Sequence, residues 1–125
     1  MLQKILLIML AGSAGTLARY SLASWVQRLT GGSFPMGTLA VNVIGCFTAG
    51  FLWTLFEERW AITVETRTIV LVGFMGAFTT FSSYILESGL MFRTSDWSAA
   101  IVYIVLQNIV GIGALMAGLA VANTI

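Results

Sequence analysis

The chain has 125 residues, of which only 9% are charged and 58% are apolar, with six Lys/Arg against five Asp/Glu. A soluble globular domain carries roughly 25% charge, so most water-soluble readings are excluded. No histidine and a single cysteine, Cys46, leave zinc, haem and dithiol sites without ligands, and a formal charge of +1 gives no basic field for nucleic acid.

The charges leave four uncharged stretches, 5–18, 29–56, 68–86 and 97–125. A membrane-spanning helix needs about 20 predominantly apolar residues. The expected class is therefore an all-α integral membrane protein, with four transmembrane helices in one domain over 1–125. The first span is expected at 3–27. Lys4 and the apolar run behind it have the look of a secretory signal, but Arg19 is followed by more apolar sequence to Val26, so the segment reads as a retained span. Leu29 to Met36, with paired glycines and Pro35, is a turn. The second span is expected at 37–56, followed by a charged connector from Glu57 to Arg67. The third is expected at 68–92, and Arg93 to Asp96 form a polar turn in which Ser95 is the expected N-cap, with Asp96 behind it. The fourth is expected at 97–123. Trp25, Trp60 and Trp97 fall near span ends, where interfacial aromatics belong, whereas Trp53 lies nearer the apolar interior.

Lys/Arg bias ordinarily sets orientation. Here Lys4, Arg59 and Arg67 fall on one side of a four-span layout and Arg28 and Arg93 on the other, with Arg19 inside the first span. Two readings stay open: insertion in both orientations with antiparallel pairing, or a weak bias that still suffices.

Small and polar residues form stripes on three helices: Gly12, Gly15 and Arg19 on the first, Thr38, Asn42, Gly45 and Ala49 on the second, and Tyr103, Gln107, Asn108, Gly111 and Gly118 on the fourth. Each alone is explained by close helix contact, which small residues permit in lipid. The third span differs. Gly73 and Gly76 precede Thr79, Thr80, Phe81, Ser82, Ser83 and Tyr84, with Glu87 close behind. Glycine and clustered hydroxyls favour an unwound turn, tolerated at membrane depth only where protein or a wet cavity covers it. Freed carbonyls of such turns coordinate small cations, and an intramembrane carboxylate is a functional candidate. The alternative is a kinked helix whose hydroxyls bond back to their own turn.

Three blocks, Gly12 to Tyr20 (GSAGTLARY), Gly37 to Gly45 (GTLAVNVIG) and Gly76 to Glu87 (GAFTTFSSYILE), together with the length and the four-span layout, resemble the small bacterial fluoride-channel family (Fluc, also called CrcB). The resemblance covers nearly the whole chain. It implies an antiparallel dual-topology homodimer in the bacterial inner membrane, with two fluoride pores and a structural sodium ion at the centre. On matching positions the sodium would be held by the carbonyls of Gly76 and Thr79, where the third helix breaks. Asn42 would be the pore amide, with Phe81 and Tyr84 as the aromatic pair beside it. Thr80, Ser82, Ser83 and Glu87 would fall in or near a polar track, and Arg19 near a vestibule. Two positions depart from the family pattern: Tyr84, where Phe is common, and Ile112, where Ser often follows the preceding glycine.

These residue types suit fluoride, a small, strongly hydrated acceptor. A pore must replace its water with donors, which an Asn amide and Ser/Thr hydroxyls supply, and aromatic rings are electropositive at their edges. A fixed cation in mid-pore would hold the ion, whereas conduction needs sites weak enough to leave, so Arg19 suits a vestibule better than a clamp. The rival readings are a proton-coupled exporter of the small multidrug-resistance type, which needs an acid deep in the first span, and a non-transporting helper subunit packed by its glycine stripes. No acid–base pair, nucleophile–base pair or metal-ligand cluster indicates an enzyme.

Overall fold

The computed structural model describes residues 1–60 and 62–125, apart from the side chain of Arg59. Ala61, within the expected connector, and the Arg59 side chain therefore lie outside the described residues. The secondary structure there is all helical, with four helical stretches long and apolar enough to cross a membrane, the third of which, Val64–Arg93, comprises two of the helices named below.

Helix α1 runs Leu2–Thr30. It ends at Gly31 and Gly32, whose φ values of 64° and 76° lie in the left-handed region that glycine adopts without a Cβ penalty. Helix α2 runs Met36–Thr54 and continues over Leu55–Arg59 in a wider, π-type winding. Helix α3 starts at Val64–Arg67, takes the wider winding over Thr68–Met75, and returns to α geometry over Gly76–Phe78. Helices α4, Phe81–Arg93, and α5, Trp97–Asn123, complete the bundle.

The connector is shorter than the charge run suggests, because its charged residues are good helix formers and extend the helices on both sides. Thr63 caps α3 by accepting from the Thr66 N–H at 3.2 Å, and Arg67 pairs with Glu57 across the gap. The Arg67 guanidinium also sits 6.0 Å from the Trp53 ring, giving that tryptophan, 51% exposed, a charged neighbour. At the start of α5 the cap is Asp96 and not Ser95. The Asp96 carboxylate accepts from the Ala99 N–H at 3.3 Å, while Ser95 turns the chain at a φ of 61°. An acid can both cap and meet the positive end of the helix, so Asp96 takes the position.

Glycines set the helix contacts. A Cβ on Gly15 would collide with the Phe74 carbonyl, and one on Gly73 would lie 3.0 Å from the Ala11 Cβ, so α1 crosses α3 backbone to backbone. A Cβ on Gly118 would come 2.9 Å from the Phe51 nitrogen, and one on Gly50 would strike the Leu115 carbonyl, which fixes the long α2–α5 contact. Val41, Met75 and Phe78 form a small core between these layers. Many large side chains, Phe81 and Ile109 among them, remain on the outside, as lipid or a partner requires.

Candidate functional site

The chain is extended at Thr79 (φ −85°, ψ 158°) and Thr80 (φ −147°, ψ 115°), between the end of α3 and the start of α4. Asn42, one helical turn before Gly45 on α2, holds this segment. Its Oδ1 accepts from the Thr80 N–H at 2.8 Å, and its Nδ2 donates to the Thr80 carbonyl at 3.0 Å. A Cβ on Gly45 would overlap the Thr79 methyl, so only glycine lets α2 approach this closely. The Thr80 hydroxyl accepts from the Ser83 N–H at 3.2 Å, capping α4, and donates to Ser83 Oγ at 3.0 Å. Ser82 Oγ lies 3.4 Å from the same hydroxyl. The donors that would close helical turns onto the carbonyls of Gly76 and Thr79, the N–H groups of Thr80 and Ser83, are thus given to side chains. Gly76 itself is helical (φ −62°, ψ −31°), so the extended residues are Thr79 and Thr80 and not the whole run from Gly76.

A polar row starts from Asn42. Its Nδ2 also donates to Gln107 Oε1 at 3.2 Å, Gln107 Nε2 donates to the Tyr103 hydroxyl at 2.9 Å, and Tyr103 donates to Glu87 Oε2 at 2.7 Å. Thr38 donates to the other carboxylate oxygen of Glu87 at 2.7 Å. Every bond points the same way along the row and ends on Glu87, which accepts at both oxygens. Tyr103 is completely buried and Gln107 is 9% exposed. In a low-dielectric interior, such a row holds its members in one arrangement.

Beside the row stand the aromatic residues. Phe81 and Tyr84 meet edge to face, with centroids 5.5 Å apart at 70°. Tyr84 is buried and its hydroxyl accepts from Asn108 Nδ2 at 3.2 Å, whereas Phe81 is 74% exposed on the surface of the chain. Both rings line a cavity of about 440 Å³, with Asn42, Gly76, Thr79 and Gln107. A second cavity, of about 320 Å³, holds Arg19 among the hydroxyls of Thr16, Ser24, Thr38, Thr80 and Ser83. Among the described residues, Arg19 forms no ion pair. The two cavities share Thr80, so the extended segment lines both.

The family model described as CrcB-like protein, Camphor Resistance (CrcB), matches residues 6–119. The chain belongs to the CrcB family. A protein of Desulforapulum autotrophicum named fluoride-specific ion channel FluC is 60% identical over 122 residues, 98% of each chain. One of the same name from Nitrosococcus oceani is 48% identical over the full length of both chains, and one from Parabacteroides distasonis is 35% identical over 98% of this chain and 94% of its own.

Most of the residues singled out in the sequence of this CrcB-family chain fall into one neighbourhood, while Arg19 lines the adjoining cavity. Asn42 bonds to Thr80, and the adjacent Thr79 packs against Gly45. Ser82 and Ser83 bond to Thr80, Tyr84 adjoins Phe81, and Glu87 ends the row that Asn42 begins. Sequence reasoning expected Asn42 to offer its amide to an ion, whereas here both amide hydrogens already have acceptors, Thr80 and Gln107. It placed Tyr103, Gln107 and Thr38 in packing stripes and gave them no part in the polar track. Their signal was present in the i, i+4 spacing of Tyr103 and Gln107, but their partner Glu87 lies on another helix.

Proposed function

We propose that the chain is a fluoride-selective channel of the bacterial inner membrane. It exports cytoplasmic fluoride passively and works as an antiparallel homodimer with two pores and a structural sodium ion. The observation that carries this reading is the hydrogen-bonded row from Asn42 to Glu87, flanked by aromatic rings and adjoined at Thr38 by the Arg19 cavity, in a chain so similar to proteins named fluoride-specific channels.

The residues act as follows. Arg19 and the hydroxyls around it attract the anion into a vestibule without a carboxylate to cancel the charge. At the extended segment the ion competes with Gln107 Oε1 for the second amide hydrogen of Asn42, while the first stays on Thr80 and keeps the backbone in place. The edges of Phe81 and Tyr84 supply weak positive electrostatics, and several weak contacts in series allow the ion to leave as well as bind. The hydroxyls of Thr38 and Tyr103, both aimed at Glu87, turn to the ion as it passes. Fluoride enters an acidified cell as HF and is trapped inside as the anion, so a passive route driven by an inside-negative potential suffices for export. No bond is made or broken, so no enzyme chemistry is required.

Two features support the dimer. Phe81 is too exposed for a ring that lines a path within one chain, and a second copy would cover it. The near-equal Lys/Arg distribution permits both orientations. Sodium fits the carbonyls of Gly76 and Thr79 because their helical donors are spent elsewhere, and unsatisfied carbonyls are costly in the bilayer. The ion would supply charge to those carbonyls and tie two subunits together.

The test is growth. Expressed in a bacterium stripped of its own fluoride export, the chain should restore growth on acidic fluoride medium. C-terminal reporters for each side of the membrane should both give signal. Failure to rescue, with the protein present in the membrane, contradicts the channel reading, and strictly one-sided reporters contradict the antiparallel dimer.

A further inference from the structure

The aromatic contacts do not stop at Tyr84. Tyr84 meets Tyr103 edge to face at 5.6 Å and 69°, and Tyr103 meets Phe34 in the same way at 5.4 Å and 84°. Four rings from three separate parts of the chain therefore run from the extended segment to the turn between α1 and α2. Phe34 also lines a cavity of about 400 Å³ that reaches Glu87 and is bounded by Ser33, Thr94 and Asp96. The cavity carries two acids, Glu87 and Asp96. An anion moving through it would keep away from the acids and follow the Phe34 ring and the Ser33 hydroxyl, since the Thr94 hydroxyl is spent on the Leu90 and Met91 carbonyls.

The turn that carries Phe34 is held by one side chain. Gln27 Nε2 donates to the carbonyls of Gly32 at 3.2 Å and Phe34 at 3.1 Å, and its Oε1 accepts from the Gly37 N–H at 3.1 Å. The last of these satisfies a backbone donor at the start of α2 that no helical carbonyl reaches. Gly37 itself lies so close to Ala23 that an added Cβ would overlap the Ala23 carbonyl, which fixes α2 against α1 on the other side of the turn.

We infer that Phe34 forms the outer aromatic constriction of the ion path and that Gln27 is the positioning residue that holds it over Tyr103. The inference rests on the channel reading and adds a second aromatic contact, distant in sequence from Phe81 and Tyr84.

The test is fluoride efflux from liposomes containing only this protein, with thermal stability of the purified protein measured alongside. Phe34→Leu keeps bulk but removes the ring edge, and should slow fluoride efflux by about three- to tenfold, the range expected for one ring contact. Phe34→Tyr restores the edge and should bring efflux back most of the way. Gln27→Leu should slow efflux in the same direction, and the double variant should be no slower than Phe34→Leu alone, because Gln27 acts through Phe34. If Phe34→Leu does not assemble, Phe34→Met carries the same expectation. Full-rate efflux with Phe34→Leu overturns the constriction, and additive losses in the double variant overturn the positioning role of Gln27. Absence of efflux from the unaltered protein removes the channel reading itself.

Discussion

Asn42 holds the Thr80 backbone at both of its polar groups, accepting from its N–H at 2.8 Å and donating to its carbonyl at 3.0 Å. Lipid offers no hydrogen-bond partner to an extended segment at membrane depth, so a side chain must take that place. One amide does so for donor and acceptor together, and through Gln107 it also couples the segment to α5. Asparagine alone has the reach and the pairing. Aspartate has no donor, and glutamine is one methylene longer.

Asn42→Leu therefore leaves a donor and an acceptor of Thr80 unpaired. The expected loss is about 1–3 kcal/mol of stability for each unpaired group, together with the loss of fluoride flux. Asn42→Asp keeps the acceptor and should be intermediate. Thermal unfolding of the purified protein in detergent gives the order, and an unfolding temperature for Asn42→Leu equal to that of the parent chain would contradict it.

Gly45 and Thr79 should be coupled. Gly45→Ala drives a methyl into the Thr79 methyl and, by overpacking, should cost about 1–3 kcal/mol. Thr79→Ser removes the obstructing methyl and keeps the hydroxyl, which donates to the Met75 carbonyl at 3.0 Å. Thr79→Ser alone should be nearly silent, and combined with Gly45→Ala it should recover most of the lost stability. Simple additivity of the two changes would mean that the contact is not the source of the cost.

Phe81→Ile preserves apolar bulk and removes the ring edge, so fluoride flux should fall sharply while the protein stays assembled. Tyr84→Phe should be mild, because its ring contacts with Phe81 and Tyr103 survive and the Asn108 amide still donates to the Ile104 carbonyl at 2.8 Å. Flux assays on both variants separate the rings. Undiminished flux in Phe81→Ile would reduce that ring to packing.

The sodium proposal has its own test. Within one chain, a Cβ on Gly76 meets nothing closer than the Leu71 carbonyl at 3.8 Å, so Gly76→Ala should fold normally as a single chain. Any failure to form dimers would then come from the contact between chains. Replacing sodium with a large organic cation should weaken the dimer or its fluoride flux without any transport of sodium. Equal dimer stability and flux in both salts would contradict a structural sodium ion.

The spans were legible because lipid imposes a coarse rule: long uncharged segments bounded by charges. Their ends were less legible. Glu57, Glu58 and Glu65 look like loop residues by charge but are sound helix formers, and they lengthen the helices into the expected connector. Ser95 and Asp96 are both acceptable caps, and only backbone geometry decides between them. The hydroxyl cluster on the third span was conspicuous in sequence, since polar residues are costly in a membrane. What sequence could not supply was the pairing across helices. Asn42 and Gln107 are 65 positions apart, Thr38 and Glu87 49, and Tyr103 served equally well as a packing residue until its hydroxyl partner was located.

The most direct measurement of the central claim is anion selectivity in liposomes that contain this protein alone. Loaded with equal fluoride and chloride and given a potassium-driven potential, they should release fluoride rapidly, with chloride release no faster than from protein-free liposomes. Equal release of the two anions, or release of neither from a correctly assembled dimer, would contradict the account.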